Sequence, residues 1–282
     1  MKKALLFIGF GVCHAIYGQY VIFNVGDGPD PRQPLTSRST VARAIGQMAM
    51  VRSGVVRPYC SGTLIGRRTV LTAGHCVLPN RNAMVFRPSV VDGEMEAGSH
   101  AIGIQHAWTP YTRNMRPGHP SDWAILLLAE IPQSDQGPFP YLPVRHSTFE
   151  LSVGDSITSI GYSADFEYGD TAGYHSGCQP TQMNASGTFD MNCAVNPGAS
   201  GGPILKRFNR QYDSTNQRWI PEGYSMVGIN IAGLSEEAVA EMRLLGLLIY
   251  GQRISIPAMN VGNGSSNFFN AASAVLRDYD SQ

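Results

Sequence analysis

From about Val41 the chain breaks into short apolar or alternating runs, each stopped by glycine, proline or another turn residue, and that rhythm confines it to a strand-rich fold. The segment AIGQMAMVRSG alternates loosely, whereas YCSGTLIG and RTVLTAGHC flank Gly66-Arg67-Arg68 as the two arms of a hairpin would. DWAILLLAEIP is a continuous apolar run suited to a strand buried on both faces. It is followed by PQSDQGPFPYLPVRHS, whose four prolines between Pro132 and Pro143 mark a linker crossing the surface. A second strand-rich half contains DSITSIGYS, the stretch around Ser200, QRWIPEGYSMVGINIAG and GQRISIPAM. Helix signals are few: Ser235 could cap a helix over EEAVAEMRLLGLL, and Ser266 one over NFFNAASAVLRD. Two strand-rich halves joined by a proline-rich crossing predict two packed barrels or sandwiches, with loops from each meeting in a cleft.

The opening segment, MKKALLFIGFGVCHAIYGQY, has Lys2 and Lys3, an apolar run from Ala4 to about Val12, and small residues near Ala15 and Gly18. It reads as a secretory signal peptide, residues 1–18, too short in its apolar part to span a bilayer comfortably. The expected product is secreted or periplasmic, with no membrane contact once the segment is removed. Charged residues make up only 15% of the chain and the formal net charge is zero, which argues against nucleic acid or an anionic surface as the main partner.

Cys13 leaves with the signal segment, so Cys60, Cys76, Cys178 and Cys193 remain. An even count in an exported chain predicts disulfides, and the spacing alone leaves the pairing open. No C-x-x-C spacing occurs, so no zinc site is expected. The acidic stretch Asp165 to Asp170 could hold calcium, but an exposed acidic loop is the better reading. No metal or other cofactor is expected.

The chemistry centres on NCAVNPGASGGPIL, where Ser200 sits among glycines that permit a tight turn and close approach of other atoms to the backbone. A serine hydroxyl needs a base, usually histidine, itself oriented by a carboxylate, and backbone N–H donors for the oxyanion. Gly198-Ala199-Ser200-Gly201-Gly202 matches the nucleophile elbow of α/β-hydrolases literally, but that design requires a histidine after the serine. The histidines are at 14, 75, 100, 106, 119, 146 and 175, all before Ser200, and the elbow reading fails. The order His, Asp, Ser remains. His75 follows a strand in VLTAGHCV, Asp122 opens the buried run DWAILLL, and the N–H groups of Gly198 and Ser200 could face one oxyanion site. Asp135 competes with Asp122 only weakly, because it lies in the proline-rich linker. The other histidines read as solvated or packing residues.

Together CSGTLIGRRTVLTAGHC, SDWAILLL and NPGASGGPI resemble the chymotrypsin-type, or trypsin-like, serine peptidases, nearest the secreted bacterial branch of V8-like glutamyl endopeptidases. The resemblance runs from about Val21 to Val275, since DPRQPLTSRSTVARAIGQM also resembles that branch. It implies an all-β fold of two packed six-stranded antiparallel barrels with a C-terminal helix. On residues 19–282 this places the first barrel at about 41–130, the linker at about 131–148, the second barrel at about 149–262 and the helix at about 266–278. The resemblance further implies Ser200 as nucleophile, His75 as general base and then acid, Asp122 as the group orienting His75, and Gly198 with Ser200 as oxyanion donors. On that fold the expected disulfides are Cys60–Cys76, beside the His75 turn, and Cys178–Cys193, bracing the approach to Ser200. A monomer acting on protein or peptide substrates is expected.

Two departures from the family pattern stand out. Many trypsin-like enzymes carry an aspartate immediately before the nucleophile to receive the new N-terminal amine on activation; here that position is Ala199. In the specificity pocket, Ala194 stands where trypsin-like enzymes hold an aspartate, and Asn230 and Val195 where the glutamyl branch has histidine and threonine. An uncharged residue before the scissile bond is therefore expected, because a charged one would be buried without a counter-charge. A catalytically silent, protease-like binding protein is the rival reading, disfavoured by the presence of all three triad residues.

Overall fold

The computed structural model describes residues 29–77, 81–115, 118–145, 151–208, 211–213, 218–220, 223–232 and 260–280. The signal segment with Cys13, His146, the helix expected after Ser235 and the strand GQRISIPAM lie outside the described residues.

The N-terminal segment supplies a two-residue strand, β1 (Gln33–Pro34), and one helical turn, α1 (Thr40–Arg43), where the Ser39 hydroxyl accepts from the Ala42 N–H. Six strands follow: β2 (Ile45–Arg52), β3 (Val55–Leu64), β4 (Thr69–Thr72), β5 (Met84–Pro88), β6 (Ile102–Trp108) and β7 (Ala124–Leu128). They close into an antiparallel barrel in the order β2-β3-β4-β7-β6-β5. The run AILLL forms β7 and is buried along its whole length, which is what a strand paired between β4 and β6 with the core on both faces requires. The proline-rich linker contains a small hairpin of β8 (Gln133–Ser134) and β9 (Gly137–Pro138), with Asp135 at its tip against Ala97 and Gly98.

The second half contributes β10 (Ile157–Gly161), β11 (Gly173–Cys178), β12 (Pro180–Met183), β13 (Thr188–Met191), β14 (Pro203–Phe208), a separate pair β15 (Gln211–Asp213) and β16 (Arg218–Ile220), then β17 (Gly223–Ala232) and β18 (Asn260–Gly264). Its main sheet runs β1-β11-β10-β14-β17-β18-β13-β12. The all-β class, the closed first barrel and a second β unit packed against it are as expected; in the second unit β11 and β12 are successive stretches separated by Gln179 alone, and they pair with β10 and β13 at opposite ends of the strand order. The N-terminal β1 pairs Gln33 with Tyr174 and Pro34 with Gly173. It adds an extra strand on the edge of β11.

Apolar packing explains why the halves stay together. Ile45, Leu64, Phe86 and Leu126 fill the first barrel, and the same cluster continues into Ile160, Leu205 and Met226 of the second half. A second cluster, which includes Phe189, Ile204, Phe208 and Val227, lies within the second sheet. Disulfides join Cys60 to Cys76 and Cys178 to Cys193, the pairing expected above.

The C-terminal helix, α2 (Phe269–Tyr279), is present, but Ser266 is not its cap. Residues Ser265–Asn267 form a 3-10 turn, closed by the Phe268 N–H donating to the Ser265 carbonyl, and Phe268 takes the N-cap position. Ala272 and Val275 of α2 join the first cluster. At the other end Asp280 staples the helix to the β3–β4 turn: its carboxylate accepts from the Arg67 and Arg68 N–H groups and the Thr69 hydroxyl at 2.8, 3.1 and 2.9 Å. Gly66 leaves room for this staple, since a Cβ there would press on the ends of the Asp280 and Leu276 side chains. Asp280→Ala should therefore lower unfolding stability by about 2 kcal/mol, since hydrogen bonds to a charged acceptor are lost together. Urea denaturation checks this, and an unchanged midpoint would show that the turn holds itself.

Candidate active site

His75 lies in a 3-10 turn, Gly74–Cys76, directly after β4. Asp122 precedes β7 and is fully buried. Strands β4 and β7 are paired, with Thr72 opposite Ala124, so the residues just beyond these ends meet above the barrel. One Asp122 oxygen accepts from the His75 backbone N–H at 2.9 Å, and the other lies 2.8 Å from His75 Nδ1. A buried carboxylate facing Nδ1 favours the tautomer with its proton on that nitrogen, leaving Nε2 as the acceptor. The Tyr111 ring stands edge-on to the imidazole at 6.3 Å. Burial, and after it the negative charge of Asp122, raises the Tyr111 phenol above its ordinary pKa.

Ser200 belongs to the other half, and Ser61, in the C-terminal part of the first barrel's β3, holds it against this half. The Ser61 N–H donates to the Ser200 carbonyl at 2.8 Å, and its hydroxyl donates to the Gly198 carbonyl at 2.8 Å while accepting from the Tyr162 N–H at 2.9 Å. Cys60 precedes Ser61 and is disulfide-bonded to Cys76, the neighbour of His75. A covalent and hydrogen-bonded chain thus runs from His75 through Cys76, Cys60 and Ser61 to Ser200. The close group of Cys60, His75 and Cys76 is no metal site, because both sulfurs are consumed in the disulfide.

The loop before Ser200 has a defined set of peptide orientations. Ala164 donates its N–H to the Pro197 carbonyl at 2.8 Å, and Gly202 donates to the Ala199 carbonyl at 2.9 Å. In a trans peptide the N–H points opposite to the carbonyl of the same plane, so the Gly198 and Ser200 N–H groups are directed away from these contacts. Among the described residues neither N–H has a backbone acceptor. Gly198 has φ +100°, and a Cβ there would strike the Tyr162 carbonyl, so only glycine fits. Ala199 is 1% exposed and belongs to the second apolar cluster, where a carboxylate would be buried among hydrocarbon.

Ala194 and Val195 are buried, and Val195 packs in the second cluster. Asn230 is buried on β17, with its side-chain oxygen accepting from the Ser159 hydroxyl at 3.0 Å and its amide donating to the Ile160 carbonyl at 3.3 Å. Its backbone carbonyl accepts from the Gly201 N–H at 2.7 Å, tying the serine loop to β17. Asp135 touches the Gly98 loop, whereas Asp122 pairs with His75. His100 pairs with exposed Glu130, His106 stacks on Trp108, and His119 Nδ1 accepts from the Ser121 N–H.

Sequence reasoning missed Ser61, Ala164 and His175. Nothing in SGT or SAD announces a long-range contact, whereas the separation of His175 from Ala194 simply hides their meeting. His175 Nδ1 accepts the Ala194 N–H at 2.9 Å.

Residues 60–210, more than half of the chain, match the family described as the trypsin-like peptidase domain, and the chain belongs to that family. Glutamyl endopeptidase of Bacillus licheniformis is 27% identical over 158 residues, covering 52% of this chain and 45% of that protein. The match thus spans less than half of that relative's own length. A solved structure of a Glu endopeptidase in complex with MPD has a TM-score of 0.57 at 20% identity, covering 88% of this chain and 98% of that one. The crystal structure of protease Anisep from Arthrobacter nicotinovorans gives a TM-score of 0.51 at 19% identity, with 83% and 98% covered. At these identities the two structures speak to the fold, which is the chymotrypsin-like one.

Burial pulls the His175 imidazole below its ordinary pKa of 6.5, against the nearby charge of Asp30 and with that of Arg32. The unfolded chain therefore takes up a proton near pH 6.5 that the folded chain refuses. This contribution to stability is present above pH 6.5 and is lost as pH falls toward the lower folded value. Urea midpoints measured from about pH 7 to pH 5 should fall, and His175→Gln should flatten that slope. Identical slopes in the two proteins would contradict the assignment.

Proposed function

We propose that the chain is a secreted serine endopeptidase in which Ser200, His75 and Asp122 form a catalytic triad. The observation that carries this reading is the His75–Asp122 pair, linked through the Cys60–Cys76 disulfide and Ser61 to the carbonyl of Ser200. The Ser200 hydroxyl attacks the scissile carbonyl as its proton passes to His75 Nε2. The C–N bond then breaks, with that proton delivered to the leaving amine, and an acyl-enzyme remains. Water attacks the ester by the same route, and Ser200 regains its proton. Asp122 keeps the imidazole in the productive tautomer and stabilises its charged form. The N–H groups of Gly198 and Ser200 supply the oxyanion donors, a role supported by the peptide orientations described above.

Ala194 and Val195 bring no charge to the specificity pocket, and the Asn230 amide is committed to Ser159 and Ile160. This supports cleavage after uncharged residues with weak selectivity, since apolar contacts discriminate by only about 1–3 kcal/mol. Export follows from the signal-like residues 1–18 and fits the two disulfides. No cofactor is required, and a monomer suffices for every step.

A serine-directed acylating reagent should label the wild-type protein once, at Ser200. Ser200→Ala should leave at best the ~10³–10⁴-fold residual over water that oxyanion and binding terms provide, and Asp122→Asn should reduce kcat about 10⁴-fold. Chelators should leave the rate unchanged. No labelling of the wild type would favour the silent binding protein, and full turnover by Ser200→Ala would overturn the triad. In a separate experiment, a diverse peptide mixture digested and read by mass spectrometry should show cleavage after uncharged residues. Products dominated by cleavage after Glu, or after Arg and Lys, would overturn the pocket assignment.

A further inference from the structure

Arg32 is an unusual residue for an N-terminal segment: its side chain is 2% exposed and lies between two carboxylates. Its terminal nitrogens donate to both oxygens of Asp165 at 3.0 and 2.6 Å, and its Nε and a terminal nitrogen bond Asp30 at 2.8–3.2 Å. The guanidinium also lies over the Phe166 ring, 4.9 Å from its centre. This fork–fork geometry fixes direction as well as distance. Downstream, β1 pairs with β11 and Leu35 donates to the Ala172 carbonyl, so the segment is zipped along the far side of the same loop.

The loop so held, 163–170, has features that need holding. Glu167, Tyr168 and Gly169 have successive φ values of 46°, 54° and 75°. Left-handed backbone at non-glycine residues persists only where the surroundings impose it. Gln47 of the first barrel holds one end through its amide, which donates to the Gly169 carbonyl at 2.6 Å. Arg32 holds the other end at Asp165. The residue next to Asp165 is Ala164, whose N–H grips the Pro197 carbonyl and so sets the plane that carries the Gly198 N–H.

We propose that Arg32 is a positioning residue for catalysis: its ion pair with Asp165 fixes the 163–170 loop and, through Ala164 and Pro197, aims the Gly198 N–H at the oxyanion. It acts in place of a charge next to the nucleophile, where this chain has a buried alanine. The inference rests on the serine-peptidase reading above.

The test compares wild type, Arg32→Ala, Arg32→Lys and Asp165→Asn in the mature protein, well below their melting temperatures. Arg32→Ala should lower kcat by about 10–10²-fold, a part of the ~10²–10³ that loss of a whole oxyanion donor costs. KM should change little. Affinity for a peptidyl boronate, which presents a tetrahedral oxygen to the donors, should fall with kcat, whereas affinity for a product peptide should not. Asp165→Asn should show the same pattern, and Arg32→Lys should recover part of the loss because it restores charge without the fork. Should Arg32→Ala fail to fold, Asp165→Asn decides by the same readouts. Variants that lose only melting temperature, with kcat and boronate affinity unchanged, would reduce Arg32 to a structural clamp and overturn the proposal. Wild type that is not acylated at all would overturn the peptidase reading and this inference together, whereas acylated wild type equal to its variants overturns this inference alone.

Discussion

The two hydrogen bonds that Ser61 donates to the carbonyls of Ser200 and Gly198 are the joint on which the site depends. His75 and Asp122 are positioned by the first barrel, and Ser200 by the second sheet, so their meeting depends on how the halves dock. Ser61 is completely buried at that junction, where each of its polar groups has a partner, including the Thr72 hydroxyl that donates to its carbonyl at 2.7 Å. In so dry a place an unpaired polar atom would cost more than a formed bond contributes, so this junction tolerates few alternatives. The disulfide beside it ties the same strand end to the histidine turn. Apolar burial holds the halves together without direction, and the hydrogen bonds supply the direction.

The serine loop is consequently ordered by its neighbours. Ser61 holds its Gly198 and Ser200 carbonyls, Ala164 its Pro197 carbonyl, and Asn230 on β17 its Gly201 N–H. Ala199 makes sense in that setting, as an apolar side chain in the second cluster beside peptide groups already oriented. The same view explains the glycines unequally. Gly198 and Gly201 adopt positive φ and lie against backbone atoms of Tyr162 and Ser61, whereas Gly202 is needed for close packing on Ile160.

Legibility in the sequence followed locality. The histidine turn, the buried AILLL strand and the C-terminal helix each announce themselves through a pattern a few residues long, and each is present. The start of the helix was misplaced because a 3-10 turn at Ser265–Asn267 intervenes, in which the Ser265 hydroxyl donates to the Arg145 carbonyl and caps nothing. The strand β1 was not legible, because a two-residue strand has no periodicity to detect; it adds to the edge of β11. Asp165 looked like part of an exposed acidic loop, and Arg32, 133 positions away, turns it into half of a buried ion pair.

By itself the sequence determined the chemical inventory: an all-β chain with a histidine, an aspartate and a serine in one chain order, an uncharged residue before the serine, and four cysteines past the signal-like segment. These follow from residue identity and short spacing, which local backbone preferences translate directly into strands and turns. The tertiary structure alone decided which carbonyls Ser61 holds, that the Asn230 amide is turned into the sheet, and that Arg32 reaches the loop beside Pro197. Those are contacts between residues far apart in the chain, fixed by how the two halves dock, and no local pattern encodes them.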